Sequence, residues 1–424
     1  MSNKQETKSA LLPIRVLDLT EGGCAISGKM FGDVGADVIK IEPPGGSQSR
    51  VGPYYKNIED PNKSLFWFAY NTNKRGITLD IKKPEGQELF KKLAKTADVI
   101  LESFGPGFMN SINLGYSDIT KIKPDIIYTS ITPFGQTGPK ANYKASELTI
   151  WASGGFLNDC GDPDRAPVWI GFPQTGIFGG AEGAVGSMTA LWHRTNTGEG
   201  QYVDVSMQEA AMASNMNVLQ MWDVNQVEFR RVGAVSFVAA TRVRQPIYFR
   251  CKDGFIMILA LGGNDPYATS SEHLVQWMKD EGMCPDWLAE LDWWKDYNAA
   301  VLKQDLADKV GEAIEAFTLT KTKDELYEVG AFGKYKQMLV APVSSTKDIS
   351  EDIQLKGRNF WVKIEHPELN ESLPYCGPFI QMSESPIELK KRAPLIGENN
   401  RDIYLNELGL TEDNLKSLQE KGII

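Results

Sequence analysis

Five short apolar runs within residues 1–135 constrain this chain more than anything else in it. They are IRVLDLT (14–20), GADVIKIE (35–42), GITLDI (76–81), ADVILESF (97–104) and PDIIYTSITPFG (124–135). Each reads as a buried strand. Between the third and fourth lies KPEGQELFKKLAKTA. There Leu89, Phe90, Leu93, Ala94 and Ala97 recur at helical spacing, with Pro84 near the first turn. Strands that alternate with helices predict a parallel, Rossmann-like sheet. Ligands of such sheets bind at the carboxyl ends of the strands, so the loops after residues 20, 42 and 104 are the places to look.

The rest of the chain predicts more. GGAEGAVGSMTALWHR reads as a Gly/Ala-rich helix, and TNTGEGQYVDVSM as a turn and a strand with Val203, Val205 and Met207 on one face. QEAAMASNMNVLQMW reads as one long helix, and QPIYFRCKDGFIMILAL as a hairpin turning at Lys-Asp-Gly. The expected fold class is α/β. A large Rossmann-like domain occupies 1–229, a smaller α+β domain 230–345, and residues 346–424 return to complete the large domain.

A chain of 424 residues can bury a substantial core without covalent staples. Its net charge of −10 argues against nucleic acid or an anionic membrane as partner. Its start, MSNKQETKSALLP, is polar, and no apolar run approaches the ~20 residues of a membrane span. The five cysteines are scattered, with no CxxC pair, so neither a disulfide framework nor a thiolate zinc site is expected. A reduced, cytoplasmic protein follows. His193, His273 and His366 lie far apart, without metal-ligand spacing, and His366 falls in a polar turn. No GxSxG, HExxH or P-loop is present.

The short stretches NTNKRG (71–76), ESFGPG (102–107), FGQTGP (134–139) and EPPGGSQSR (42–50) all adjoin strands. Lys74, Arg75 and Arg50 place cations in these loops, the chemistry a phosphate or diphosphate needs. Taken singly, each is also an ordinary basic turn.

Together these stretches resemble the family III CoA-transferases. GADVIKIEPPGG, NTNKRGITLDIKKPEG, ADVILESFGPG, SITPFGQTGP, TGEGQYVDVSMQEA, LGGNDP and APLIGENN follow that family's order from about residue 12 onward. The resemblance implies a large Rossmann-type domain, a small domain, and two chains threaded as interlocked rings. It implies coenzyme A or an acyl-CoA as substrate rather than a permanently bound cofactor. Lys74, Arg75 and Arg50 then face CoA phosphates. Ser103 and Phe104 match an Asn-Phe pair that lines the CoA channel, with one amide lost. Lys144 and Glu147 match a Lys and Glu flanking the active site, with Ser146 replacing an aromatic residue, and Met207 matches a Met near the thioester.

The family's nucleophile is an aspartate at an elbow between an extended run and a helix. It attacks the acyl-CoA thioester, passing through a mixed anhydride to an enzyme–CoA thioester. Over PVWIGFPQTGIFGG that aspartate falls on Gly176, and no Asp occurs from 165 to 203. Glu182 lies six residues on, roughly 9 Å along a helix and on the opposite face. The expectation is therefore a subunit without a catalytic residue of its own, partnered by a homologous chain that carries the aspartate. Two other readings stay open. One is a self-sufficient transferase or related acyl-CoA racemase using another residue, although racemases need a His/Asp pair and residues 1–192 hold no His. The other is a CoA-ester binding scaffold.

Overall fold

The structure, a computed structural model, describes residues 9–229, 231–238 and 242–424. Two compact units emerge. The first joins 1–156, 170–220 and 354–424; the second joins 157–169 and 221–353. The sequence reading has 230–345 for the smaller unit, so these bounds differ at both ends and add a short upstream piece.

The first unit is built on a six-stranded sheet: β1 (Arg15–Leu19), β2 (Asp37–Glu42), β3 (Lys74–Thr78), β4 (Val99–Glu102), β5 (Ile127–Thr132) and β6 (Gln201–Ser206). Their spatial order is β3-β2-β1-β4-β5-β6, and every pairing is parallel. The direction of growth reverses between β1 and β4. Both faces of such a sheet are covered, which is why its strands read as near-continuous apolar runs. Alternate residues divide between the faces. Leu17, Leu19, Ile39, Ile41, Ile77 and Ile100 pack with Leu89, Phe90 and Leu93 of the Pro84–Ala94 helix and with Ile403, Tyr404 and Leu415 of the tail. Val16, Val38, Val99, Leu101 and Ile127 pack with Phe31 and with Ala184, Ala190 and Leu191 of the Thr175–Thr197 helix. The tail is also hydrogen-bonded in, with Tyr404 Oη donating to the Thr78 carbonyl at 2.7 Å.

In the second unit, β7 (Val235–Val238) pairs with β8 (Val243–Pro246). Strands β9 (Tyr248–Cys251) and β10 (Gly254–Ile258) form the expected hairpin, and β11 (Val340–Val343) pairs with β10. Phe249, Ile256, Ile258, Trp277 and Phe317 are in its core. Back in the first unit, β12 (Trp361–His366) and β13 (Glu371–Cys376) make a further hairpin.

Several local expectations are corrected. The PVWIG run joins no strand, and Val168, Trp169 and Ile170 are exposed. Strand β6 stops at Ser206, whose hydroxyl accepts from the Glu209 amide and starts a helix at Met207. The long helix after it is divided at Ala213–Asn215 into Met207–Met212 and Met216–Asn225. His366 is no turn residue: it ends β12 fully buried, bonded to Glu368 at 2.8 Å and to Tyr375 Oη at 2.7 Å. All five cysteines are free thiols. Among the described residues, no helix is long and apolar enough to cross a membrane, and no cluster of potential ligands could hold a metal.

Candidate active site

The elbow is built by three segments that meet at one helix end. Gln174 is the N-cap of the Thr175–Thr197 helix, so residue 176 sits in its first turn, where unpaired amides favour an anion. The anion is supplied by Glu147. Its Oε1 accepts from the Thr175 amide at 2.8 Å, from the Gln174 amide, and from Trp151 Nε1 at 2.7 Å. Its Oε2 accepts from Thr175 Oγ1 at 2.5 Å. Glu147 is itself presented by a short helix, Glu147–Ser153, which Ser146 caps reciprocally with Thr149. The residue that replaces the family's aromatic thus has a local job.

Gly176 lies against the turn Gly22–Ala25 that follows β1. A Cβ on Gly176 would stand 3.2 Å from Gly23 Cα and 3.4 Å from the Cys24 amide nitrogen. A Cβ on Gly23 would stand 2.9 Å from the Ile177 nitrogen. Two backbones touch here because neither residue carries a side chain. Four residues on, Gly180 repeats the approach, its Cβ position 3.0 Å from the Cys24 carbonyl. Residue 176, over which the resemblance lays the family's aspartate, is therefore in backbone contact and does not face an open slot. Cys24 is buried, and burial, with the Asp18 carboxylate nearby, pushes its thiol up to about 12, so it is no substitute nucleophile. Glu182 is exposed on the outer face of the helix.

In this geometry the three cations expected to face phosphates all have protein partners. Lys74 is buried and donates to Asp18 Oδ2 at 2.7 Å, the Ala25 carbonyl at 2.7 Å and Asn71 Oδ1 at 2.8 Å. Burial, with Lys40 close by, draws it down to about 8, while Asp18 opposes the shift. Burial alone would raise Asp18, but Lys40 and Lys74 outweigh it and hold the carboxyl low. Arg50 is buried in a fork with Glu42, at 2.6 and 2.7 Å, and its guanidinium lies 3.8 Å from the Trp67 ring centroid. Arg75 reaches Asp37, Asp402 and Glu407. All three cations are occupied in holding the sheet's loops.

The remaining expected residues fall in two places. Met207 packs by Gly179, whose Cβ position lies 2.8 Å from its Cγ, close to the elbow with Glu147. Lys144 is exposed three residues before Glu147. Ser103 and Phe104 lie at the carboxyl end of β4. Ser103 Oγ accepts from the Glu21 amide at 2.8 Å, and Phe104 lines a cavity of about 330 Å³. That cavity sits over the carboxyl ends of β1 to β4, with Leu19, Pro43, Leu79 and Phe108 among its walls and the exposed Lys82 at its rim. It is the crevice that the strand reversal opens. Lys82 and the Gly23–Gly176 contact are absent from the sequence reading. The pair Gly22-Gly23 after β1 is the visible trace of that contact, and Lys82 lies within the quoted NTNKRGITLDIKKPEG.

Comparison with known proteins decides the family. The model of CoA-transferase family III matches residues 11–400. This chain belongs to CoA-transferase family III. Among its relatives, the BbsE subunit of succinyl-CoA:(R)-benzylsuccinate CoA-transferase from Thauera aromatica is 34% identical over 97% of this chain and 97% of that protein. A formyl-CoA:oxalate CoA-transferase from Streptomyces coelicolor is 32% identical over 99% of this chain and 100% of that one. A CaiB/BaiF family protein from Brucella suis superposes with a TM-score of 0.79 at 26% identity, covering 93% of this chain and 98% of that structure. The Rossmann-like architecture expected of the family III transferases is the one observed.

Proposed function

We propose that this chain is the subunit without a nucleophile in a heteromeric family III CoA-transferase. A homologous, aspartate-bearing chain would carry the covalent chemistry. One observation carries the reading: residue 176 is a glycine in backbone contact with Gly23, and the nearest carboxylate, Glu147, is spent on four hydrogen bonds. A carboxylate so bound is a poor attacking group, because attack must first give up those bonds. The similarity to a protein named as a subunit supports the pairing. It also favours succinyl-CoA as donor and an aryl-substituted dicarboxylate such as benzylsuccinate as acceptor.

Coenzyme A would occupy the cavity at the ends of β1 to β4, with Phe104 and Phe108 against its apolar parts and Lys82 toward phosphate. Lys144, Glu147 and Met207 would border its thioester end. Large apolar side chains stand in solvent: Trp192 at 70% exposure, Met216 at 69% and Trp222 at 54%. Such surface is consistent with burial against another chain, as the interlocked arrangement requires.

The test is adduct trapping. The chain alone, and the chain co-expressed with its aspartate-bearing homologue, are incubated with succinyl-CoA and the protein is analysed by mass spectrometry. The expected result is no CoA adduct on this chain in either sample, with an adduct on the homologue. A CoA thioester at Glu147 or Glu182 of the isolated chain overturns the reading.

A further inference from the structure

Three carboxylates are fully buried among the described residues: Asp18, Glu42 and Glu102. Asp18 is paired with Lys40 and Lys74, and Glu42 with Arg50. Glu102, at 4% exposure, has no ion-pair partner. It ends β4, and the strand register places it in one row with Ser130 of β5 and Asp204 of β6, so the nearest charge is another anion. Its Oε2 accepts from the Phe104 amide at 2.7 Å, and its Oε1 accepts from Ser130 Oγ, to which Tyr202 Oη donates at 2.9 Å. Two of about four lone-pair positions are thereby used. A buried carboxylate without a cation is costly, and this one opens on a cavity of about 380 Å³.

The walls of that cavity are aromatic. Tyr116, Tyr128 and Tyr202 line it, with ring centroids 5.5 to 6.2 Å apart, and Ser130 and Gln136 add polar groups. It shares no lining residue with the cavity beside Phe104 and Phe108. A carboxylate with free lone pairs, flanked by tyrosine faces, is the chemistry that selects an organic cation. The described residues offer no set of ligands for a metal here. We propose that this cavity is a second binding site, for a small organic ammonium ion whose N–H groups bond Glu102 and whose alkyl part lies on the tyrosines. The site stands independently of the nucleophile's loss.

Without a ligand, burial pushes Glu102 up to about 7, with Asp204 of β6 contributing. The other titratable groups facing it are Tyr128 of β5 and Tyr202 of β6. An ammonium favours the ionised carboxylate, so binding displaces a proton below pH 7 and strengthens as pH rises.

Calorimetric titration of the full chain with ethylammonium chloride, against sodium chloride of equal ionic strength, tests this. Saturable binding is expected, tightening about tenfold from pH 6 to pH 8 as the carboxyl with a pKa of about 7 ionises. Glu102→Gln should weaken it at least tenfold and remove its pH dependence. Tyr202→Leu, on the exposed edge strand, should weaken it several-fold with an unchanged thermal midpoint. No saturable binding to the folded wild type, binding unaltered in both variants, or displacement of ethylammonium by coenzyme A would each overturn the proposal.

Discussion

Restoring the missing carboxylate with Gly176→Asp is the most informative change to make, because the backbone contact predicts that it fails. The new Cβ would meet Gly23 Cα at 3.2 Å and two backbone nitrogens at 3.4 Å, none of which can rotate away. Overpacking of this kind costs about 1–3 kcal/mol. The added charge enters a helix turn whose amides Glu147 already takes, so like-charge repulsion consumes the ~0.3–1 kcal/mol that an acid at a helix N-terminus normally contributes. The net expectation is a loss on the order of 2–4 kcal/mol, the steric and charge costs combined. Gly176→Ala carries the steric part without the charge and should lose ~0–2 kcal/mol, since helix propensity returns up to ~1 kcal/mol. Gly357→Ala is the control: Gly357 ends the Ile353–Gly357 helix, and its Cβ would meet nothing within 4 Å. Urea unfolding of the three variants, with trapping after succinyl-CoA, reads both quantities. A Gly176→Asp protein as stable as wild type that also forms a CoA adduct at residue 176 would refute the reasoning, because the slot would then be open.

Other expectations follow from the same contacts. Glu147→Ala strands two helix-end amides and the Trp151 indole N–H, and should cost about 2–4 kcal/mol in urea unfolding, with charged hydrogen bonds contributing ~1.5–3 kcal/mol each and not additively. Asp18→Asn leaves Lys40 and Lys74 buried without an anion, and should lose about 3–5 kcal/mol or fail to accumulate as soluble protein. Glu102 has a folded pKa raised to about 7 from a reference of 4.5, so the folded state holds its proton longer, and this contribution to stability falls as pH rises from 4.5 to 7. Glu102→Gln should therefore gain stability relative to wild type at pH 8 compared with pH 5, by at most about 3 kcal/mol, and a difference of the opposite sign in pH-dependent melting would reject the shift.

The sheet was legible because burial on both faces leaves an unambiguous mark. IRVLDLT, GADVIKIE and ADVILESF each contain the strand they suggested, and the helix at 84–94 buries the residues its spacing selected. The electrostatics around the candidate site were not legible. Lys74 and Arg50 look like solvent-facing cations because partners that bury them are distant in sequence: Asp18 is 56 residues from Lys74, and Arg50, beside nearby Glu42, also needs the Pro394 carbonyl. A basic residue beside a strand end says nothing of its burial until the fold supplies the partner. A Lys74→Ala variant would thus report on folding before it reported on any phosphate. His366 escaped for a related reason, since its bond to Tyr375 forms only when β12 and β13 pair.

The same dependence on distant partners explains why the vacant elbow keeps its shape. The helix end at the elbow has amides that need an acceptor, and its first turn packs against a neighbouring backbone. Here the amides are taken by Glu147, 28 residues before Thr175, and the neighbouring backbone is that of Gly23. Gly23 in turn sits in a turn fixed from both sides. Ser49 Oγ accepts from the Gly22 amide at 2.7 Å, Glu21 accepts from Ser47 and Ser49, and Ser47 bonds Glu42, the partner of Arg50. Arg50, expected from the sequence to meet a ligand, is thus tied to the elbow's turn through Glu42, Ser47 and Glu21. Asp18 and Lys74 support the turn's other end through the Ala25 carbonyl. The loops at the ends of β1, β2 and β3 are thus one electrostatic unit that holds the elbow's turn. A chain under no selection at this site would not be expected to keep so many buried charges matched, because each unmatched one costs several kcal/mol.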